Sequence, residues 1–126
     1  MEYIAALISP FFILLIENFL PYPYVIEELF KFFLAKKANS SKIAIILGLM
    51  FSVSEAIFYV FNPVYSLNLT AYGIRLMAVS SMHVTTILVM YYFSNEIQLR
   101  HKRFLWPVGL ILAILIHYLF NTIGSL

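Results

Sequence analysis

The feature that most constrains this chain is the spacing of its apolar segments. Short polar loops separate five stretches that approach the roughly 20 apolar residues needed to cross a bilayer as a helix. We expect spans at residues 3–20, 22–35, 43–61, 71–93 and 104–123. Because 63% of the residues are hydrophobic and 11% are charged, the chain lacks the polar residues for a water-soluble surface. The predicted fold class is all-α: a polytopic transmembrane helix bundle of about five spans, forming one domain over residues 1–126.

The distribution of basic residues predicts the orientation of this bundle. Lysines and arginines concentrate in the loops at 36–42 and 100–103, whereas the loop at 62–70 carries no charge. Short loops rich in lysine and arginine stay in the cytoplasm. We therefore expect a multi-pass integral membrane protein with a cytoplasmic N-terminus and an external C-terminus. The net charge of +2 and its bunching in two loops exclude a nucleic-acid partner.

Ionisable residues within the apolar segments are the best candidates for function. Each costs roughly 2.5–3.5 kcal/mol in the hydrocarbon region, so each requires a partner or a task. The second segment contains Glu27, Glu28 and Lys31, and the next three segments contribute one residue each. These three are Glu55, His83 and His117. Counting from the outer loops places Glu28, Glu55 and both histidines about 8–12 Å deep, which predicts a single site in the outer half of the membrane.

The residue types in this predicted site are suited to activating water. A glutamate can act as general base, while imidazole and carboxylate can hold a divalent ion that acidifies bound water. Because the chain has no cysteine, a metal site must use nitrogen and oxygen ligands. Asn121 stands four residues after His117 on the same helix face and could help to stabilise an oxyanion. Taken singly, each histidine is more simply a core residue, and Lys31 is most simply a counter-ion for the glutamates.

Four short motifs carry a resemblance to a known family. The stretches EELFK, FSVSE, RLMAVSSMH and HYLFN resemble, in order, the EExxK, FxxxE, arginine-to-histidine and HxxxN motifs of PrsW-type intramembrane proteases. The larger superfamily includes the CAAX prenyl endopeptidases and the APH-type scaffold subunit of γ-secretase. The resemblance covers Glu27 to Asn121 and implies that Glu27 or Glu28 supplies the activating base. It implies further that Glu55 and His83 bind metal or water, and that His117 with Asn121 completes the site.

The predicted function is therefore an intramembrane peptidase that hydrolyses a peptide bond in a membrane-tethered protein or peptide. Zinc is the first choice of cofactor, with Glu55, His83 and His117 as ligands, and a metal-free site is the alternative. A non-catalytic scaffold of the same superfamily is the second hypothesis, and an ion or proton carrier ranks last. The expected partners are the substrate and the lipid bilayer, and association of copies into a homo-oligomer stays open.

Overall fold

The computed structural model describes residues 1–17, 19, 21–60, 68–97 and 105–124. These residues form five α-helices and no strand, which confirms the all-helical fold class. The helices are α1 (Glu2–Glu17), α2 (Pro23–Lys37), α3 (Ser41–Val60), α4 (Leu69–Tyr91) and α5 (Trp106–Gly124). A π-helical segment, Tyr92–Ile97, continues α4 at its C-terminal end.

Three of these helices are long and apolar enough to cross a membrane. The qualifying stretches are Ser41–Phe58, Leu69–Asn95 and Trp106–Ile123, in α3, α4 with its π-helical continuation, and α5. The other two helices are shorter, at 16 residues for α1 and 15 for α2. At 1.5 Å per residue they reach about 22–24 Å, less than the roughly 30 Å of hydrocarbon. A membrane protein is therefore supported, while five complete crossings remain a prediction.

Helix α4 occupies the centre of the bundle and packs against α2, α3 and α5. Helix α1 packs against α3 and α2. The buried apolar core includes Leu47, Phe51, Ile87 and Met90, whereas many large apolar side chains remain on the surface. Such a surface suits contact with lipid rather than water.

The backbones of α3 and α4 approach each other closely at Gly48. A Cβ atom at this position would lie 2.8 Å from the Cα atom of Val84, so a side chain would push the two backbones apart. Small residues allow helices in membranes to approach in this way. One turn further along α3, Ser52 donates a hydrogen bond to Ser80 Oγ at 2.8 Å. The two helices are therefore tightly coupled over this length.

Hydrogen bonds from neighbouring elements hold α1 and α2 in place. Asn95, in the π-helical segment, donates to the carbonyl oxygens of Ala35 at 3.2 Å and Ala38 at 3.0 Å, which satisfies acceptors at the end of α2. Ser54 of α3 donates to the carbonyl oxygen of Leu7 in α1. These three bonds fix helices that contribute to or border the polar cluster described next.

Candidate active site

Ionisable side chains from four helices meet inside the bundle. They comprise three glutamates, one lysine and two histidines: Glu27, Glu28 and Lys31 of α2, Glu55 of α3, His83 of α4 and His117 of α5. The structure thus brings together five of the six residues predicted as catalytic. Lys31, predicted only as a counter-ion on its own helix, lies among them.

Lys31 is the centre of this polar cluster and is completely buried. Its Nζ atom donates hydrogen bonds to Glu28 Oε1 at 2.5 Å and to His83 Nδ1 at 2.9 Å, and it forms an ion pair with Glu27 Oε1 at 2.7 Å. An ammonium group has three donors, so these contacts use its full capacity. Lys31 therefore links α2 to α4 in addition to neutralising the glutamates beside it.

His83 makes a hydrogen bond through each of its ring nitrogens. Lysine can donate but not accept, so Nδ1 of His83 must accept the hydrogen bond from Lys31. The proton of the neutral ring then resides on Nε2, which donates to Glu55 Oε2 at 2.5 Å. The Phe51 ring packs against the imidazole, with centroids 5.0 Å apart. His83 is thereby held in one orientation with both nitrogens engaged.

His117 contacts the other end of the cluster. Its Nδ1 atom lies 2.7 Å from Glu28 Oε1, which as a carboxylate oxygen accepts the proton on Nδ1. Glu28 is completely buried, and its second oxygen, Oε2, has no hydrogen-bond partner among the described residues. The two imidazole rings are perpendicular, with centroids 6.3 Å apart. Both Glu28 and His117 are buried, so this side of the cluster is closed. His117 carries its proton on Nδ1, whereas His83 carries it on Nε2.

A small cavity of about 50 Å³ borders the other side of the cluster. Two carboxylates, two aromatic rings and two residues of α1 line it: Glu27, Glu55, Phe51, Phe58, Pro10 and Ile13. Oε1 of Glu27 is buried and ion-paired with Lys31 Nζ at 2.7 Å. A space of this size bordered by two carboxylates can hold water, since one water needs about 10–15 Å³ of such volume and polar partners.

Asn121 is the predicted site residue that does not join the cluster. It lies near the end of α5 with an exposed side chain, whereas His117, one turn earlier, is buried. Pro10 and Ile13 are site residues that sequence reasoning did not identify. Both are apolar members of α1, so no polar pattern could have distinguished them from other residues of that helix.

The expected zinc site fits this arrangement poorly. Two groups of donors come within 4.8 Å of one another, Glu27 with Glu28 and His117, and Glu27 with Glu55 and His83. The predicted ligands Glu55, His83 and His117 therefore fall into separate groups. Zinc needs a free imidazole nitrogen, yet both nitrogens of His83 are occupied, by Lys31 and by Glu55. The ammonium of Lys31 would also repel an adjacent divalent cation.

Comparisons with protein-family models, with curated proteins and with solved structures give no match to this chain. The resemblance to PrsW-type proteases thus depends on the four short motifs alone. The first two motifs place all their ionisable residues in the cluster. The third contributes His83, whereas Arg75 lies over the Phe120 ring, and the fourth contributes His117 but not Asn121.

Proposed function

We propose that this protein is an intramembrane peptidase in which Glu27 activates water held in the cavity beside Glu55. The observation that carries this proposal is the position of Glu27. Its Oε1 atom is buried and ion-paired with Lys31, and its side chain lines a cavity large enough for water. Glu28, by contrast, is bonded to Lys31 and His117 and does not line the cavity.

The chemistry follows from general base catalysis. Glu27 removes a proton from the cavity water while the water oxygen attacks the carbonyl carbon of the scissile peptide bond. The proton then passes from Glu27 to the leaving amine, which breaks the carbon–nitrogen bond and restores the carboxylate. Glu55 would orient the water from the opposite wall of the cavity. Water activated by a carboxylate alone suffices for this sequence, so no step requires a metal ion.

The proposal requires α1 to move. A cavity of about 50 Å³ accommodates water but not a peptide backbone, and Pro10 and Ile13 line it on the α1 side. Withdrawal of these two residues would enlarge the space beside Glu27 for a substrate. Proline inside a helix removes a backbone hydrogen bond and weakens the helix locally, so α1 would bend at Pro10.

A non-catalytic scaffold is the second candidate, and the density of internal bonds favours it. Lys31 and His83 each use their hydrogen-bonding capacity within the cluster, which ties three helices together. Polar contacts between helices commonly serve such a role in membranes. In that case substitutions in the cluster would weaken the bundle, and no peptide bond would be cleaved.

Reconstitution in liposomes with a library of membrane-tethered peptides tests the proposal, with cleavage followed by mass spectrometry. We expect cleavage by the wild-type protein and a loss of at least about 10²-fold in Glu27→Gln, the effect typical of removing a general base. Glu2→Gln is the matched control, since it makes the same chemical change at the far end of α1. A Glu27→Gln protein as active as wild type would overturn the proposal.

A chelator added to the same assay tests the cofactor. Cleavage should persist, because both ring nitrogens of His83 are bonded within the protein and the Lys31 ammonium lies beside them. If a chelator abolishes cleavage and zinc restores it, the zinc site at Glu55, His83 and His117 is reinstated.

We also propose five crossings with both basic loops in the cytoplasm. Because the chain has no cysteine, single cysteines can report accessibility without background labelling. Cysteines replacing Lys37 and Lys42 should react only from the cytoplasmic side, and one replacing Thr70 only from the outside. Labelling of all three from one side would reject this topology.

A further inference from the structure

We infer that Lys31 is a positioning residue that fixes the tautomer of His83, through the hydrogen bond from its ammonium group to Nδ1. Sequence reasoning gives Lys31 only the task of neutralising glutamates. The consequence for catalysis depends on the proposed function, whereas the tautomer itself can be observed without any assay of cleavage.

The inference starts from the donors and acceptors around one imidazole. Nδ1 of His83 lies 2.9 Å from Lys31 Nζ and 3.3 Å from Glu27 Oε1. A proton on Nδ1 would suit Glu27 but would point at the ammonium, which cannot accept it. Two carboxylates in contact with Lys31 keep it in the charged form. The shorter of the two contacts, from Lys31, therefore sets the tautomer, and Nδ1 of His83 carries no proton.

The same protonation pattern has a consequence at Nε2. A neutral imidazole has one proton, so removing it from Nδ1 places it on Nε2, where it is donated to Glu55 Oε2. This hydrogen bond sets the position of the carboxylate that lines the cavity opposite Glu27. A single lysine thus controls, through His83, the orientation of an acid on a third helix.

His83 is also prevented from acting as a base. Its acceptor nitrogen is occupied by Lys31, so it cannot take a proton from the cavity water while that bond persists. Among the described residues, His117 offers a second imidazole, but its Nδ1 donates to Glu28 and neither residue lines the cavity. The arrangement leaves the carboxylates of Glu27 and Glu55 as the ionisable groups that line the cavity, and Oε2 of Glu55 already accepts from His83.

Nitrogen-15 NMR of histidine-labelled full-length protein in detergent micelles tests this inference. Protonated and unprotonated ring nitrogens have well-separated chemical shifts, so each tautomer can be read directly. Because the sequence contains three histidines, the variants His101→Gln and His117→Gln assign the signals. We expect the proton of His83 on Nε2 and the proton of His117 on Nδ1. A proton on Nδ1 of His83 in the wild-type protein would overturn the inference.

Two variants identify which neighbour sets the tautomer. In Lys31→Met the preference for Nε2 should fall by about tenfold or more, the factor expected for a lost charge-assisted hydrogen bond. Lys37→Met is the control, because it makes the same change on the exposed end of α2 and should alter neither histidine. An unchanged tautomer in folded Lys31→Met would contradict the inference.

Glu55→Gln supplies the answer even if Lys31→Met does not fold. This variant retains Lys31, so Nδ1 of His83 should remain unprotonated. If the tautomer instead changes in Glu55→Gln, the acid rather than the lysine controls it, and the inference fails. None of these spectra depends on cleavage, so the proposed peptidase could fail while the role of Lys31 survives, or the reverse.

Discussion

The two histidines of this protein occupy contrasting halves of one cluster. His83 donates through Nε2 to Glu55 beside a water-sized cavity, whereas His117 donates through Nδ1 to Glu28 in a closed environment. The same residue type thus carries its proton on opposite ring nitrogens within 6.3 Å, measured between ring centroids. The difference shows that the neighbouring donors and acceptors, rather than the histidine itself, decide what each imidazole can do.

The two sides of the cluster also give different surroundings to the adjacent glutamates of α2. Glu27 and Glu28 are adjacent in α2, yet Glu27 borders the cavity and Glu28 is completely buried beneath it. Consecutive residues in a helix point about 100° apart, so neighbours in sequence can face different surroundings. We therefore expect substitutions on the cavity side to affect chemistry and those on the closed side to affect stability.

The largest effect should come from removing the link between the two halves. Lys31→Met leaves Glu27 and Glu28 without their shared cation, and breaking a buried ion pair typically destabilises a protein by about 3–5 kcal/mol. Unfolding in a denaturing detergent would measure this loss. Lys37→Met, on the exposed turn of the same helix, should change stability by less than about 0.5 kcal/mol. Comparable stability of the two variants would mean that the halves are held together by other contacts.

A smaller effect should distinguish the adjacent glutamates. Glu28→Gln weakens charge-assisted hydrogen bonds to Lys31 and His117 and should destabilise the bundle by about 1–3 kcal/mol. Glu27→Gln should reduce stability by less than half of that, because its side chain is 15% exposed, whereas Glu28 is completely buried and bonded to both Lys31 and His117. The same unfolding measurement decides. A greater loss of stability in Glu27→Gln would reverse the assignment of the two sides.

Coupling energies should sharpen the division further. A double-mutant cycle between Glu55→Gln and His83→Gln should give about 1–2 kcal/mol, since these side chains are directly bonded. A cycle between Glu55→Gln and His117→Gln should give a coupling energy of less than about 0.5 kcal/mol, because His117 bonds to Glu28 rather than to Glu55. Thermal unfolding of the single and double variants provides these values. Equal coupling in the two cycles would mean that the cluster behaves as one unit.

The smallest effect is expected at Asn121. Its side chain is exposed, so Asn121→Ala should change stability by less than about 0.5 kcal/mol and cleavage by less than about twofold. His117→Ala is the internal comparison and should be far more damaging. A severe loss of cleavage in Asn121→Ala would restore the role that the resemblance to PrsW-type proteases implies for this residue.

Much of the cluster could be predicted because polar residues in apolar helices are rare and must find one another. Glu55, His83 and His117 each stand out in their own segment, and their similar depth predicted a shared site. Asn121 failed this reasoning because four residues advance a helix by 400°, which leaves it about 40° around and 6 Å further along the axis than His117. Near the end of α5 that offset suffices to expose the side chain.

Other features were beyond prediction for definite physical reasons. The two α1 residues that line the cavity, Pro10 and Ile13, are apolar like their neighbours, and only the packing of α1 on α3 reveals their role. The tautomers depend on differences of a few tenths of an ångström in the distances between groups on different helices, as between the 2.9 Å and 3.3 Å contacts of His83 Nδ1. The apolar composition of the first two segments also did not decide whether each helix crosses the membrane. Helices α1 and α2 have 16 and 15 residues and are not among the three that are long and apolar enough to do so.

The backbone contact at Gly48 fixes the separation of α3 and α4 at one point along their length. Gly48 precedes Glu55 by seven residues, about two turns, so both stand on the side of α3 that meets α4. Because backbone touches backbone at Val84, no rotamer change can alter the separation there. Any relative tilt of the two helices would therefore take place about this contact. Because Glu55 lies about 10 Å further along α3, such a tilt would lengthen or shorten the distance between Glu55 and His83 while the separation at Gly48 stays fixed.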